Sequence, residues 1–232
     1  MDSARRLSGV ALVLALTVTA ALPARGAINV RNYSSDRPLV LDQDADYVLH
    51  NVSVTGVRDD AALVLTGRIN SLTLKRCTFG NVRMGETGRA AGVEATGATV
   101  GAMVATDSIF YDAEVTLASL REGSFGVVSF QRCNFRTSDE FLRQIYASNP
   151  WRNWPPVTEF YNIDRLELLD NTFSNTVVII HPSVKKVIIR GNIPGLQVHD
   201  QEATQVIRLQ PGQPLDGAVA AIDGGEIASA AR

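Results

Sequence analysis

The chain has 232 residues, 22 of them basic and 24 acidic, with a formal net charge of −2. Charge this balanced, with no long block of one sign, gives no electrostatic footprint for nucleic acid or an anionic membrane surface. The length and the 45% hydrophobic content suffice for one domain with a sizeable core.

Residues 1–26 read as a secretory signal. Arg5 and Arg6 form a positive start, Leu7 to Leu22 is apolar and uncharged, and Pro23 to Gly26 is a processing region with small residues at Ala24 and Gly26. The apolar run is shorter than the ~20 residues needed to span a bilayer. Cleavage before Ala27, with a cut near Ala21 as the alternative, predicts an exported protein, periplasmic or extracellular, with no membrane span once the signal is removed. Taking away three of the 22 basic and one of the 24 acidic residues leaves 19 against 23, a net charge near −4.

Residues 27–38 are expected to cap the N-terminal end of the domain. Beyond them one pattern recurs. It appears in "LTLKRCTF" (Leu72–Phe79), "MVATDSIF" (Met103–Phe110), "VSFQRCNF" (Val128–Phe135), "LELLDNTF" (Leu166–Phe173) and "VIIRGNIP" (Val187–Pro194). Each opens apolar–any–apolar, the period of a half-buried strand. Turn-compatible residues follow, then Cys, Ser or Asn, and two places later Phe or, in the last copy, Pro. "VSVTGVRD" (Val52–Asp59) fits the first half, and Ile207 to Leu209 begin one more copy. From Val54 through Leu74, Ala105, Phe130 and Leu168 to Ile189 the spacings are 20, 31, 25, 38 and 21 residues. A strand-rich unit of about twenty residues with insertions at its turns is the mark of a solenoid.

These residues resemble the right-handed parallel β-helix family, the pectate-lyase-like superfamily, over about Leu39 to Leu209. The resemblance implies an all-β, right-handed parallel β-helix (solenoid) of about six to seven coils. Residues 27–209 would form the domain, 136–162 an aromatic-rich insertion, and 210–232 an irregular last coil or tail. Members that cleave acidic polysaccharides use clustered carboxylates for calcium and a basic proton acceptor, and others use paired aspartates; the coil pattern itself implies neither.

In such a stack equivalent positions lie about 4.8 Å apart. Val52 and Val54 are expected to head the two apolar columns, and Phe79, Phe110, Phe135 and Phe173 to form an internal stack. Cys77, Ser108, Cys133, Asn171 and Asn192 form an expected structural turn ladder, with Asn suited to a left-handed turn. Cys77 and Cys133 fall two rungs apart, about 9.6 Å at that spacing, beyond the ~7 Å a disulfide allows. Two free thiols are therefore expected. Arg76, Asp107, Arg132 and Asp170 form an alternating charge strip, read either as a self-neutralising surface ladder or as a polar strip for an acidic or hydroxylated ligand.

Residues 83–101 are rich in Gly, Ala and Thr and read as a loop or irregular coil. In 136–162, Thr137 or Ser138 can cap a short helix with Asp139 and Glu140 in its first turn and Phe141, Leu142, Ile145 and Tyr146 as its apolar stripe. "NPWRNWPPVTEFY" follows. Trp151, Arg152, Asn153 and Trp154 form the candidate ligand surface, able to stack on a sugar ring and bond its hydroxyls, or to seal the flank of the helix. Asp42, Asp44 and Asp46 open like a calcium loop, but Tyr47 stands where glycine is needed and Ser53 where Glu is. His50, His181 and His199 are read as occupying different phases of the repeat. No cofactor, metal-ligand spacing or catalytic residue is identified.

The expected function is a non-catalytic binding or structural role at the cell envelope or outside, with polysaccharide as the candidate partner. A polysaccharide lyase or glycoside hydrolase, and an adhesin-like or assembly module, are the alternatives.

Overall fold

A computed structural model describes residues 26–55, 61–80, 91–95, 98–111, 114–117, 123–148 and 157–215. Apart from the helix Asp139–Ser148, the regular elements among them are strands, paired in parallel throughout into a twelve-stranded and a seven-stranded sheet. The pairings resolve into three ladders. Ladder one stacks Ile28–Ser35, the first half of Ala45–Thr55, Arg68–Lys75, Thr99–Thr106, Ser124–Gln131, Ile163–Leu169, Lys186–Arg190 and Gln205–Leu209. Ladder two stacks the second half of Ala45–Thr55 on Thr78–Gly80, Ile109–Tyr111, Asn134–Arg136 and Thr172–Ser174. Ladder three stacks Leu39–Leu41, Ala61–Leu65, Ala91–Ala95, Glu114–Leu117, Val157–Phe160, Val177–Ile180 and Gln197–Val198. The chain visits the ladders in the same order turn after turn. This all-β parallel arrangement is consistent with a β-solenoid.

One left-handed residue turns the chain from ladder one into ladder two. It is Asn32 (φ 51°), Asn51 (56°), Arg76 (53°), Asp107 (50°), Arg132 (52°), Asp170 (56°) and then Gly191 (99°). Asn, Asp and Gly suit this conformation, whereas Arg is strained in it. The stack holds the strained residues in place, because each corner N–H donates to a carbonyl of the next turn: Arg76 to Thr106 (3.0 Å), Asp107 to Gln131 (3.1 Å), Arg132 to Leu169 (2.9 Å) and Asp170 to Arg190 (2.8 Å). The left-handed position was expected on the Cys/Ser/Asn column. It lies one residue earlier, on the charged column, because the residue after the corner must point inward.

The apolar columns of ladder one are buried at Leu72, Met103, Val128, Leu166 and Val187, and at Leu74, Ala105, Phe130, Leu168 and Ile189. Their N-terminal neighbours are Tyr47 and Leu49, not Val52 and Val54. Val54 pairs instead with Phe79. The strand Ala45–Thr55 runs through two ladders with the Asn51 corner inside it, so its second apolar alternation imitates the start of a repeat. At the other end Ile207 pairs with Ile188, while Val206 continues the inward column from Val187. The final copy is thus shifted by one residue from the expected frame. Leu209 joins Leu169 and Ile188 in a small second cluster outside the sheet, against which Ile207 and Leu215 pack.

Inside ladder two, Phe79, Phe110, Phe135 and Phe173 stack face to face at 5.9, 4.9 and 4.8 Å between neighbouring centroids. Phe130 packs edge-on against Phe110 and Phe135. Each buried ring contributes roughly 1.5–3 kcal/mol. Pro194 does not extend the stack: Pro194 and Asn192 are exposed, and Ile193 is the buried residue. Gly80 shows how close the turns lie, since a Cβ there would stand 1.8 Å from the Tyr111 carbonyl oxygen.

The helix Asp139–Ser148 begins where Ser138 Oγ accepts the Phe141 N–H (3.2 Å), and Phe141 is buried. The segment between strands is shorter than the expected 136–162, because Arg136 closes a ladder-two strand and Val157–Phe160 belongs to ladder three. No helix among the described residues is long and apolar enough to cross a membrane.

Candidate functional site

The structure places Cys77, Ser108, Cys133 and Asn171 one above another, just inside the left-handed corner. They form an internal hydrogen-bond column. Cys77 N donates to Ser108 Oγ (3.1 Å), Cys133 N to Asn171 Oδ1 (2.8 Å), and Asn171 Nδ2 to the Phe130 carbonyl (2.9 Å). The thiols point back, Cys77 Sγ to the Leu49 carbonyl and Cys133 Sγ to the Ala105 carbonyl, both at 3.4 Å. Both cysteines are buried and free. Burial raises both thiol pKa values, that of Cys133 to about 11. These are structural side chains, too desolvated to act as nucleophiles at neutral pH.

The charge strip is divided into pairs. Arg132 clasps Asp107 through two bonds, Nε–Oδ1 at 2.7 Å and Nη2–Oδ2 at 3.1 Å. Asp170 is held by Arg190, which comes from the strand beyond the strip, at 2.7 and 2.9 Å. Arg76 turns to His50 Nε2 at 2.5 Å. The hydrogen bond from Arg132 lowers the Asp107 pKa. Trp151, Arg152, Asn153 and Trp154 lie outside the described residues. Asp46 accepts a hydrogen bond from Ser71 (2.7 Å), and among the described residues no group of three His, Cys, Asp or Glu is placed to hold a metal ion.

A polar constellation with mixed chemistry, at the corner after ladder three, was missed in the sequence. Phe160, Ile180 and Val198 pair in register at the end of ladder three. The residues that follow them, Tyr161, His181 and His199, therefore stack at the next corner, and the backbone ladder continues through His181 N to the Phe160 carbonyl (3.1 Å) and His199 N to the Ile180 carbonyl (3.0 Å). His181 and His199 thus share a column, against the expectation of separate phases. The rings of Tyr161 and His181 lie 3.7 Å apart at 19°, and His199 stands edge-on to His181 at 4.8 Å.

Glu159 faces this stack from the strand Val157–Phe160, which Tyr161 follows. Its Oε1 accepts from the Tyr161 hydroxyl (3.1 Å) and lies 3.4 Å from His181 Nε2. Exposure grades along the site: Tyr161 is 6% exposed, the His181 and Glu159 side chains 15% and 25%, and His199 is open to solvent. Burial, reinforced by the Glu159 charge, pushes the Tyr161 phenol upward, so it remains a protonated donor. Burial also lowers the His181 pKa, with Glu159 opposing. His181 is then neutral at pH 7, with Nε2–H directed at the carboxylate and Nδ1 left without a partner among the described residues. The spacings of 20 and 18 residues from Tyr161 through His181 to His199 were the available signal.

A further buried carboxylate, Glu167, sits on the outer face of ladder one with Arg165 Nε 3.1 Å away. The two are neighbours on one strand and make a local ion pair.

No family model, curated protein or solved structure matches this chain.

Proposed function

We propose that the chain is an exported, right-handed parallel β-helix with a non-catalytic binding role at the cell envelope or outside, where it contacts polysaccharide. The observation that carries this reading is the pairing of the charge strip. Arg132 neutralises Asp107 and Arg190 neutralises Asp170, so neither carboxylate of the strip is left uncompensated to gather calcium. The apolar, uncharged run Leu7 to Leu22 supports export. The test is retention of the purified full chain on a panel of neutral and acidic polysaccharides, with and without calcium. Retention without product formation is expected; retention on none of them overturns the reading.

A catalytic reading has one observation in its favour. Glu159 orients a neutral His181, the arrangement of a general base and its partner. Release of reducing ends or unsaturated products from any member of the same panel, lost in His181→Gln, would establish it in place of the binding role.

A further inference from the structure

Resting on the carbohydrate reading, we propose that the corner formed by Glu159, Tyr161, His181 and His199 is a binding site for a neutral saccharide ring. The two ends of the ring column differ in exposure. Tyr161 is packed into the core, His181 covers it at 3.7 Å, and His199 is exposed on the last described strand pairing of ladder three. The column therefore ends in an exposed imidazole set edge-on to His181, an aromatic ring against which the C–H side of a sugar ring can pack.

The polar groups beside it select the ligand. Glu159 engages Tyr161 and His181 through Oε1 alone, leaving Oε2 without a protein partner among the described residues. His181 likewise keeps Nδ1 unengaged. Both free atoms are acceptors when His181 is neutral, so the ligand must bring donors, as sugar hydroxyls do. A carboxylate at the rim repels a second carboxylate, which excludes uronates and sulfated sugars and favours uncharged ones. The tyrosine hydroxyl is already committed to Glu159. Its role is to hold the carboxylate in place, as a positioning residue.

The test uses the full chain and its variants His199→Ala and Glu159→Gln, each checked for an unchanged thermal unfolding profile. His199 is exposed, so its removal leaves the core intact. Binding to β-glucan, mannan and galactan is measured beside polygalacturonate and alginate, and the imidazole proton resonances are followed while methyl glucoside, methyl mannoside and methyl galactoside are added. The expected result is binding to a neutral glycan, movement of the His181 and His199 signals, and about a tenfold loss of affinity in each variant. Equal binding by wild type and both variants overturns the site while leaving the carbohydrate role standing. Preference for the acidic polymers overturns the ligand class. Absence of binding to every glycan, with unmoved imidazole signals, overturns the site and the carbohydrate role together.

Discussion

Two ring stacks run along this molecule, and they use one device for different ends. Phe79, Phe110, Phe135 and Phe173 stack inside ladder two, all buried. Tyr161, His181 and His199 stack at the corner after ladder three, with exposure rising along the column and a carboxylate beside it. In both, the register of parallel strands brings side chains from distant parts of the sequence face to face. The inner stack converts that register into burial. The outer one holds polar ring edges and an acceptor at the surface, which packing alone does not require. The comparison separates what keeps the chain folded from what it can offer a ligand.

The sharpest way to break the comparison is to change one ring residue in each stack. Phe135→Ala removes a ring held between two others and is expected to cost about 3–5 kcal/mol in urea unfolding. Tyr161→Phe keeps the ring and loses one bond to a carboxylate, an expected cost of about 1–2 kcal/mol. Equal losses would erase the distinction. Next in size is Asn171→Ala, which strips the Cys133 N–H of its acceptor and the Phe130 carbonyl of its donor. It should destabilise by about 1–3 kcal/mol, the cost of an unsatisfied buried group.

Two side chains, His181 and Cys133, should weaken the fold at opposite ends of the pH scale. The His181 pKa in the fold lies below its ordinary 6.5. Its contribution is therefore complete above that value and declines as pH falls toward the lowered one. The Cys133 pKa is raised from 9.0 to about 11, so its contribution is complete below 9.0 and declines as pH rises through about 11. Unfolding curves across pH, repeated in His181→Gln and Cys133→Ala, check both limbs; each variant should reduce the slope of its own limb and leave the other unchanged, with Cys77 and Tyr161 keeping part of the alkaline limb. The smallest effect belongs to Arg132→Ala. Stability should barely change, while the Asp107 carboxyl returns toward the ordinary aspartate range in an NMR titration.

How much of this was legible in the sequence depended on whether a column repeats one residue type. The phenylalanine column announces itself because the corner, the small residue after it and the ring keep fixed offsets in four copies. The first turn was misread because apolar alternation continues across the Asn51 corner, and period two carries no mark of a strand passing from one ladder to the next. Ladder three was the least visible. Its strands include "VTEF", "VVII" and "QV", which share no motif, and its corner column changes from Tyr to His. The Glu159 site lies on that ladder, so it emerged only with the register. The charge strip was recognised as a column, yet its left-handed backbone was not, because Arg76 and Arg132 are unfavourable residues for φ near +50° and only the stacked turns hold them there.

The central claim is the register that stacks Cys77, Ser108 and Cys133 on successive turns. Peptide mapping of unreduced Ser108→Cys protein, produced under oxidising conditions beside wild type, tests it most directly. Adjacent turns lie about 4.8 Å apart, within disulfide reach, while two turns lie about 9.6 Å apart. The account predicts free thiols in wild type and, in the variant, a bond from the introduced thiol to Cys77 or Cys133 with the other left free. A bond between Cys77 and Cys133 in either protein would contradict it.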